Sequence, residues 1–307
     1  MTLNIKYIKH QDIDYKQWDN CVANAFNGIV YGYSWYLDIV CDSWDALVEG
    51  NYEIVMPLTF RVKYGIHYLY QPFFTQQLGL FSIKKLDAST TESFINAIPS
   101  IYRYTEINLN IFNKLEKKEW IGRRNSTYEL DLIKDYEKLH KAYATNTKRN
   151  IKKAQDHKIN VVKGSKPDVL INMFKADKGR DLKKLQEEDY NRLHKIMSFS
   201  ISHNIGQIYF AHNDKNEVCA GAFFITANQK SIFLFSASNK DGKENSAMFA
   251  IIDSFIKVNA ERNLTLDFEG SNIDGLARFY SSFGAKQCEY LTVKLNKLPL
   301  YLKFFKR

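Results

Sequence analysis

The order of predicted elements repeats in the two halves of this 307-residue chain. Each half reads as a strand, two helices, three strands, a helix and a strand. The strands show as alternating apolar residues, as in "YEIVMPL", and Gly and Pro mark the turns between elements. Only the second half continues clearly with one more helix and strand. We therefore predict an α/β (α+β) chain of two related domains, residues 1–133 and 134–307.

The predicted elements are as follows. The first half has strands at 3–8, 46–48, 52–60, 67–70, 106–111 and 128–132, and helices at 15–23, 34–41 and 91–98. The second half has helices at 134–157, 169–174, 181–202 and 246–261, and strands at 159–162, 207–212, 217–226, 230–235, 264–268 and 288–295. A further helix follows Ser271, and residues 298–307 have the pattern of a short amphipathic helix.

The segment "LTLDFEGSNIDGLARFYSSFGAKQCEYLTV" carries the strongest functional pattern. Asp267 and Glu269 stand where its first strand ends, and ligands of open α/β sheets bind at the carboxyl ends of strands. Ser271 and Asp274 have the spacing of a capping box, which predicts that the next helix starts just after Ser271. A carboxylate at such a strand end can accept the proton of an amine. Turn and cap roles for the two acids are the simpler alternative.

Positive charge is concentrated in the second half of the chain. The net charge is +9, and residues 1–135 hold 14 Lys and Arg against 16 Asp and Glu. Between Lys138 and Lys166, nine basic residues accompany a single acid, Asp156. The spacing i, i+1, i+4 and i+5 places four of them on one helix face: Lys148, Arg149, Lys152 and Lys153. Such a face binds phosphates of tRNA or of a nucleotide-linked precursor, unless it is merely solvated.

The stretch "YLYQPFFTQQLGLFS" combines aromatic and amide side chains in the first half. Tyr70, Gln71, Gln76 and Gln77 are the candidates there to line a cleft for a polar acceptor. A core strand followed by a turn is the alternative interpretation.

Three of these motifs together resemble a known family. "ARFYSSFGA", after a strand and a short helix, looks like the closing segment of GNAT-type acyltransferases. "YATNTKRNIKKAQDHKINVV" is similar to the segment that opens the second domain of Fem-type peptidoglycan aminoacyltransferases, and "LDFEGS" resembles the tail of that family. The resemblance implies two tandem GNAT-like domains and assigns Tyr280 as general acid toward the leaving group. A packed aromatic is the alternative for Tyr280.

The turn "SASNKDGKENSAM" departs from the GNAT pattern. GNAT enzymes have R/Q-x-x-G-x-G/A there, and its backbone amides hold the pyrophosphate of coenzyme A. Gly242 fits that pattern, but Asn239 stands at the Arg/Gln position and Glu244 at the last Gly/Ala position. A carboxylate would repel a pyrophosphate, so the departure favours the Fem-type donor, aminoacyl-tRNA, with Asn239 retained as a candidate donor-site residue.

The expected function is therefore transfer of an aminoacyl or acyl group to an amine of a small-molecule or peptide acceptor, related to cell-wall precursors. Two alternatives remain: an acyl-CoA-dependent N-acetyltransferase acting on a sugar or small amine, and a non-catalytic RNA- or phosphate-binding module on a decayed acyltransferase fold. We expect no permanently bound cofactor and no metal site, since the histidines and the four distant cysteines show no ligand spacing. No signal peptide or membrane span is predicted, so a cytoplasmic location is expected, with peripheral contact to a membrane-linked precursor left open.

Overall fold

The structure is a computed structural model that describes residues 3–177, 185–270 and 272–299. Its strands are β1 (Ile5–Ile8), β2 (Trp44–Glu49), β3 (Ile54–Lys63), β4 (Ile66–Leu69), β5 (Phe81–Ser82), β6 (Tyr102–Asn108), β7 (Ile121–Asp131), β8 (Asn160–Gly164), β9 (Gly206–His212), β10 (Val218–Ala227), β11 (Lys230–Ser238), β12 (Thr265–Asp267) and β13 (Lys286–Asn296). Its α-helices are α1 (Tyr15–Asn24), α2 (Ser34–Val40), α3 (Ala88–Asn96), α4 (Tyr136–Lys141), α5 (Thr145–Asp156), α6 (Pro167–Asp177), α7 (Glu187–Ser202), α8 (Lys240–Glu244), α9 (Ala247–Asn259) and α10 (Asp274–Ser281).

The chain forms two compact units. One comprises Met1–Ser126 together with Glu289–Arg307, and the other comprises Thr127–Cys288. Both limits fall inside long strands, β7 and β13. The units therefore differ in extent from the ranges 1–133 and 134–307 that the sequence suggests, because the last strand belongs to the first unit.

The first unit has a mixed sheet in the order β1-β2-β3-β4-β6-β13, with β5 paired to β3. Every neighbouring pair is antiparallel except β4 and β6, which are joined through α3 and run parallel. A parallel pair requires such a crossover connection. The register of the last pair runs from Thr292 opposite Asn108 to Asn296 opposite Tyr104.

The second unit repeats this pattern. Its order is β8-β9-β10-β11-β12-β7, and only β11 and β12 are parallel. Helices α8 and α9 form the crossover between them. In each unit the closing strand comes from the other half of the sequence: β13 closes the first unit and β7 closes the second. The predicted α/β fold of two related domains is confirmed.

Each unit has its own apolar core. In the first, buried side chains of β2, β3 and β6 pack with Phe94 and Ile95 of α3 and with Leu291 and Val293 of β13. In the second, the sheet packs against Ile251, Ile252 and Phe255 of α9. None of the helices among the described residues is long and apolar enough to cross a membrane.

Several local predictions need correction. The helix expected over 134–157 is broken into α4 and α5, because the Ala144 amide donates to the Ser282 carbonyl at 2.8 Å instead of continuing the helix. Strand β5 and helix α8 were not predicted. Helix α10 begins at Asp274 after Ile273, which caps without a side-chain hydrogen bond, so the helix starts later than the capping-box spacing predicts. Ser271 lies outside the described residues, as do residues 181–184 of the helix predicted over 181–202 and residues 300–307 of the helix predicted over 298–307.

The swapped closing strand leads to a stability prediction. Leu291 of β13 is 6% exposed and packs in the core of the first unit. Leu291→Ala should destabilise that unit by about 2–5 kcal/mol, the usual range for a buried leucine. Hydrogen exchange should then report lost protection in β2, β3 and β6.

The matched control is Leu276→Ala on α10, whose side chain is 37% exposed. It should leave the first unit unchanged. Loss of protection confined to the second unit in Leu291→Ala would contradict the assignment of β13.

Candidate active site

The candidate site lies in the second unit, where two parallel strands separate. Strand β12 ends with Asp267 opposite Ile232, while β11 continues to Ser238. The pairing of β11 with β10 skips Leu234, which is a bulge at the same level. Bulges bend a strand and often occur next to active sites. From Phe233 onward no described strand pairs with the β12 side of β11, and that edge is open to a ligand.

Glu269 follows β12 by two residues and has an unusual environment. Its backbone is left-handed, with φ 58°, and its Oε1 is buried with no hydrogen-bond partner among the described residues. Burial raises the pKa of the Glu269 carboxyl to about 8. A buried polar atom without a partner is costly, and such atoms in a folded protein call for an explanation. A group near this pKa can exchange protons at neutral pH.

Asp267 is held by a network of polar contacts. Its Oδ1 accepts the Thr127 hydroxyl at 2.6 Å and the Glu269 amide at 2.9 Å. The Lys230 ammonium is 3.8 Å from its Oδ2 and 2.5 Å from Glu129 Oε1. Burial raises the pKa of Asp267, although the charge of Lys230 opposes this. The side chain is 3% exposed, so its position fits support of the Glu269 backbone; its predicted catalytic role stays a prediction.

Tyr280 lies on α10 and borders a small cavity. Its ring stacks on Phe268 at 5.2 Å and is 8% exposed. Burial raises the pKa of Tyr280 and the charge of Glu269 raises it further, so the two groups are close enough to interact. The hydroxyl therefore keeps its proton at neutral pH and can act as an acid. The sequence placed Tyr280 and Glu269 in one segment, and the structure brings them to one site.

The cavity beside Tyr280 has a volume of about 170 Å³. It is enclosed by the open end of β11, by Lys243 and Met248 around the start of α9, and by α10. Its lining is Phe233, Ser236, Ala237, Ser238, Lys243, Met248, Leu276, Phe279 and Tyr280. The Lys243 ammonium is 2.5 Å from Asp177. Sequence reasoning did not single out Ser236, Ser238, Lys243 or Met248, because only the fold brings β11 and α9 against Tyr280.

The basic face lies on α5, as the spacing predicted. Arg149, Lys152 and Lys153 are exposed, and Lys148 is half-buried with its ammonium donating to the Lys141 carbonyl at 3.0 Å. No acid forms an ion pair with these four among the described residues. The start of α5 is tied to the end of α10, since the Thr147 hydroxyl donates to the Ser282 hydroxyl at 2.6 Å. The basic face therefore begins next to the helix that carries Tyr280.

The turn between β11 and α9 is closed by its own hydrogen bonds. Asn239 caps α8 by accepting the Gly242 amide at 2.9 Å. The amides of Lys243, Asn245 and Ser246 donate to carbonyls within the turn. The Ser246 hydroxyl donates to Asn150 of α5 at 2.7 Å. The donor-binding role of Asn239 stays a prediction, and its side chain is already engaged as a helix cap.

Gly242 is needed for packing. A Cβ at this position would lie 2.2 Å from the Cys219 carbonyl oxygen. Substitution of Gly242 would therefore disturb the fold itself. Glu244, whose side chain is 64% exposed, is the better position at which to test whether this turn meets a phosphate.

The four acceptor-cleft candidates divide into two pairs in the first unit. Tyr70 and Gln71 line a cavity of about 260 Å³ that also includes Glu106 and Arg123. The Gln71 side chain donates to the Thr75 carbonyl and accepts from the Asn108 backbone amide. Gln76 and Gln77 do not line it: Gln77 is 3% exposed and donates to Gln76. Their predicted cleft role has no support from their positions.

Within the described residues, no group of three or more His, Cys, Asp or Glu side chains is arranged to hold a metal ion. None of the four cysteines forms a disulfide; Cys21, Cys41 and Cys219 are buried, and Cys288 is half-buried.

The two mixed sheets, each with one parallel pair of strands, form a fold that is also found in FemX. The chain is similar to the crystal structure of FemX, with a TM-score of 0.67 and 13% identity, over 98% of this chain and 100% of that one. The resemblance predicted from the sequence is therefore confirmed for the fold.

Lysylphosphatidylglycerol synthetases share the fold as well. The C-terminal domain of a putative one from Agrobacterium fabrum has a TM-score of 0.57 and 9% identity, covering 95% of this chain and 94% of that one. The enzyme from Bacillus licheniformis has a TM-score of 0.53 and 10% identity, covering 95% of each chain. No family model and no curated protein matches the sequence. The likeness therefore lies in the fold.

The environment of Glu269 leads to a pH-dependence prediction. Its pKa is about 8 in the folded state and 4.5 ordinarily. Between these values the folded state keeps a proton that the unfolded state has released, so stability falls as pH rises. The free energy of unfolding starts to fall above pH 4.5, falls by about 1.4 kcal/mol per pH unit at most, and becomes constant again above pH 8. Glu269→Gln should remove this contribution, which denaturant unfolding between pH 5 and 9 measures.

Glu137→Gln, at an exposed carboxylate of α4, is the control and should follow the parent protein. Parallel profiles for Glu269→Gln and the parent would show that Glu269 is not buried as the structure places it.

Proposed function

We propose that this chain transfers an aminoacyl group from aminoacyl-tRNA to the amine of an acceptor related to cell-wall precursors. The observation that supports this most directly is that Tyr280 lines a small cavity at the open end of β11 and that the charge of Glu269 acts on the Tyr280 hydroxyl. The Glu269 carboxylate can accept a proton near neutral pH, whereas the Tyr280 hydroxyl keeps its proton. Acyl transfer from an ester to an amine needs one proton acceptor and one proton donor.

The proposed reaction moves one proton from the amine to the leaving oxygen. The amine nitrogen attacks the ester carbonyl carbon and gives its proton to the Glu269 carboxylate. The new C–N bond forms, the C–O bond to the donor ribose breaks, and Tyr280 protonates the leaving oxygen. Glu269 then returns its proton to Tyr280, directly or through water. Backbone amides at the open edge of β11 would stabilise the oxyanion.

Two features support tRNA as the donor. The α5 face presents Lys148, Arg149, Lys152 and Lys153 without acidic partners among the described residues, which suits a polyanion. This face starts beside Ser282, two residues after Tyr280. A tRNA strand bound to this face can therefore direct its end toward the cavity.

An acyl-CoA donor has less support. The pyrophosphate would have to bind at the turn before α9, where the amides of Lys243, Asn245 and Ser246 already donate within the chain and the Glu244 carboxylate is exposed. The non-catalytic alternative would be favoured by a Tyr280 without a cavity beside it, whereas Tyr280 does line one.

The names of the structural neighbours agree with an aminoacyl group. A lysylphosphatidylglycerol synthetase is named for a product that joins a lysyl group to a phospholipid. For this chain we propose an amine acceptor; Tyr70 and Gln71, which the sequence suggested for an acceptor cleft, do line a cavity of the first unit. A membrane-linked precursor would be met at the protein surface.

Removal of the Tyr280 hydroxyl tests the acid. Tyr280→Phe should keep the fold, because no hydrogen bond of that hydroxyl holds the described structure together, and should slow single-turnover transfer by about 10²- to 10⁴-fold. The loss should be greatest for poor leaving groups. Phe279→Tyr, which places a second hydroxyl one residue away, is the control and should not rescue Tyr280→Phe. Unchanged single-turnover rates in Tyr280→Phe would end the proposed acid role.

The basic face is tested by the salt dependence of tRNA binding. Replacing Lys148, Arg149, Lys152 and Lys153 by Ala should weaken binding and reduce the slope of log K against log salt by about 0.7–0.9 per lost phosphate contact. Fluorescence anisotropy at several salt concentrations measures both quantities.

The control variant replaces four exposed lysines of the first unit by Ala: Lys63, Lys85, Lys114 and Lys118. It loses the same charge and should keep most of the affinity. Equal losses in the two variants would show nonspecific attraction by net charge. The acyl-CoA alternative would be favoured if the protein bound acetyl-CoA tightly and did not bind tRNA. In that case Glu244→Gln should strengthen acetyl-CoA binding.

A further inference from the structure

A second cavity of the Thr127–Cys288 unit lies at the opposite end of β11. It has a volume of about 400 Å³ and is formed where β9 begins, β10 ends and the chain leaves α9 for β12. Thr226 lines it and donates to Ser231, near the start of β11, whereas the Tyr280 cavity reaches Ser236 and Ser238. At about 3.3 Å per residue the two cavities are roughly 20 Å apart. The second cavity is therefore a separate site.

The floor of this cavity is aromatic. Phe224 and Phe255 stack with ring centroids 3.9 Å apart and planes inclined by 10°, and both rings are almost fully buried. Behind them Tyr209 contacts both rings edge-on, at 5.6 and 5.8 Å. Its hydroxyl is buried without a hydrogen-bond partner in the described part of the chain. Because the rings of Phe224 and Phe255 cover each other's faces, they meet the cavity with their edges, and the floor is apolar and firmly packed.

The wall carries one oriented cation. Asn259 is 8% exposed; its Nδ2 donates to the Phe255 carbonyl at 2.8 Å, and its Oδ1 accepts from the Arg262 guanidinium at 3.1 Å. Arg262 forms no ion pair with an acid among the described residues. Its remaining N–H groups are available at the cavity, and a guanidinium fork matches a carboxylate in two parallel hydrogen bonds.

Gln207 adds a second polar group. It is half-buried at the start of β9, lines the cavity, and has no side-chain hydrogen bond within the described residues. Its amide can donate to an anion or accept from a neutral group. An alternative role for Arg262 is to offset the dipole at the C-terminal end of α9. That role requires neither the Gln207 amide nor a cavity large enough for a ligand, and both are present here.

We propose that this cavity binds a small organic carboxylate with an apolar body. The carboxylate pairs with Arg262 and receives the Gln207 amide, and the body contacts the ring edges of Phe224 and Phe255. One cation suits a single negative charge, and the aromatic floor favours an organic body over inorganic phosphate. The site belongs to no step of the proposed transfer reaction.

The test uses benzoate and 3-phenylpropionate as probes on the full chain, with benzamide and inorganic phosphate as comparisons. Calorimetric titration should show saturable binding of the two carboxylates and much weaker binding of benzamide and phosphate. Arg262→Gln should weaken carboxylate binding by about tenfold or more, the usual value of a charged hydrogen bond. Arg262→Lys keeps the positive charge but loses the planar guanidinium. Its affinity for the carboxylates should therefore lie between those of Arg262→Gln and the parent protein. Hydrogen exchange should show protection at residues 204–207 and 259–264.

Arg124→Gln in the first unit, where Arg124 pairs with Glu289 at 2.5 Å, is the matched control and should bind as the parent does. If Arg262→Gln does not fold, Arg262→Lys decides the question. Equal binding of benzamide, unchanged affinity in the folded Arg262 variants, or no saturable carboxylate binding would each overturn the proposal.

Discussion

The partly buried ion pairs of the Lys230 ammonium are the interaction on which the site depends. Lys230 lies between Glu129 of β7 and Asp267 of β12, and its side chain is 14% exposed. Burial alone would lower the pKa of Lys230, but the charges of Asp267 and Glu129 outweigh it and raise the pKa. Removing one member of such a group leaves an uncompensated buried charge, which is strongly destabilising. The three charges therefore fix three neighbouring strands, β7, β12 and β11, at the level where β12 ends.

From this anchor the geometry of the acid and base groups follows. Asp267 accepts the amide of Glu269 and so holds a left-handed backbone two residues beyond the strand. That backbone places the Glu269 carboxyl where burial raises its pKa toward neutral, near the ring of Tyr280. The polar network stabilises the strand end, whereas the unpartnered Glu269 oxygen weakens the fold locally. Such a local cost is typical of functional sites, where a reactive group must remain unsatisfied until a ligand arrives.

The α5 helix shows how one contact can serve both stability and function. Its break from α4 lets the Ala144 amide and the Thr147 hydroxyl reach Ser282, directly after the helix of Tyr280. Asn150, one turn further, accepts the Ser246 hydroxyl before α9. The same helix therefore covers the turn where a GNAT enzyme would hold pyrophosphate and presents its basic side chains outward.

The sequence by itself determined the order of the elements, the repeat, the strand-end position of Asp267 and Glu269 and the basic face of α5. These follow from residues within one or two turns of each other, where periodicity acts directly. Only the tertiary structure decided that β13 closes the first unit, that the predicted 134–157 helix breaks at Ala144, and that Gln76 and Gln77 lie away from the cavity. It alone joined Lys230 to Glu129, 101 residues apart, and Thr127 to Asp267, 140 residues apart. Contacts over such separations depend on how the strands pair, and no local pattern in the chain encodes that choice.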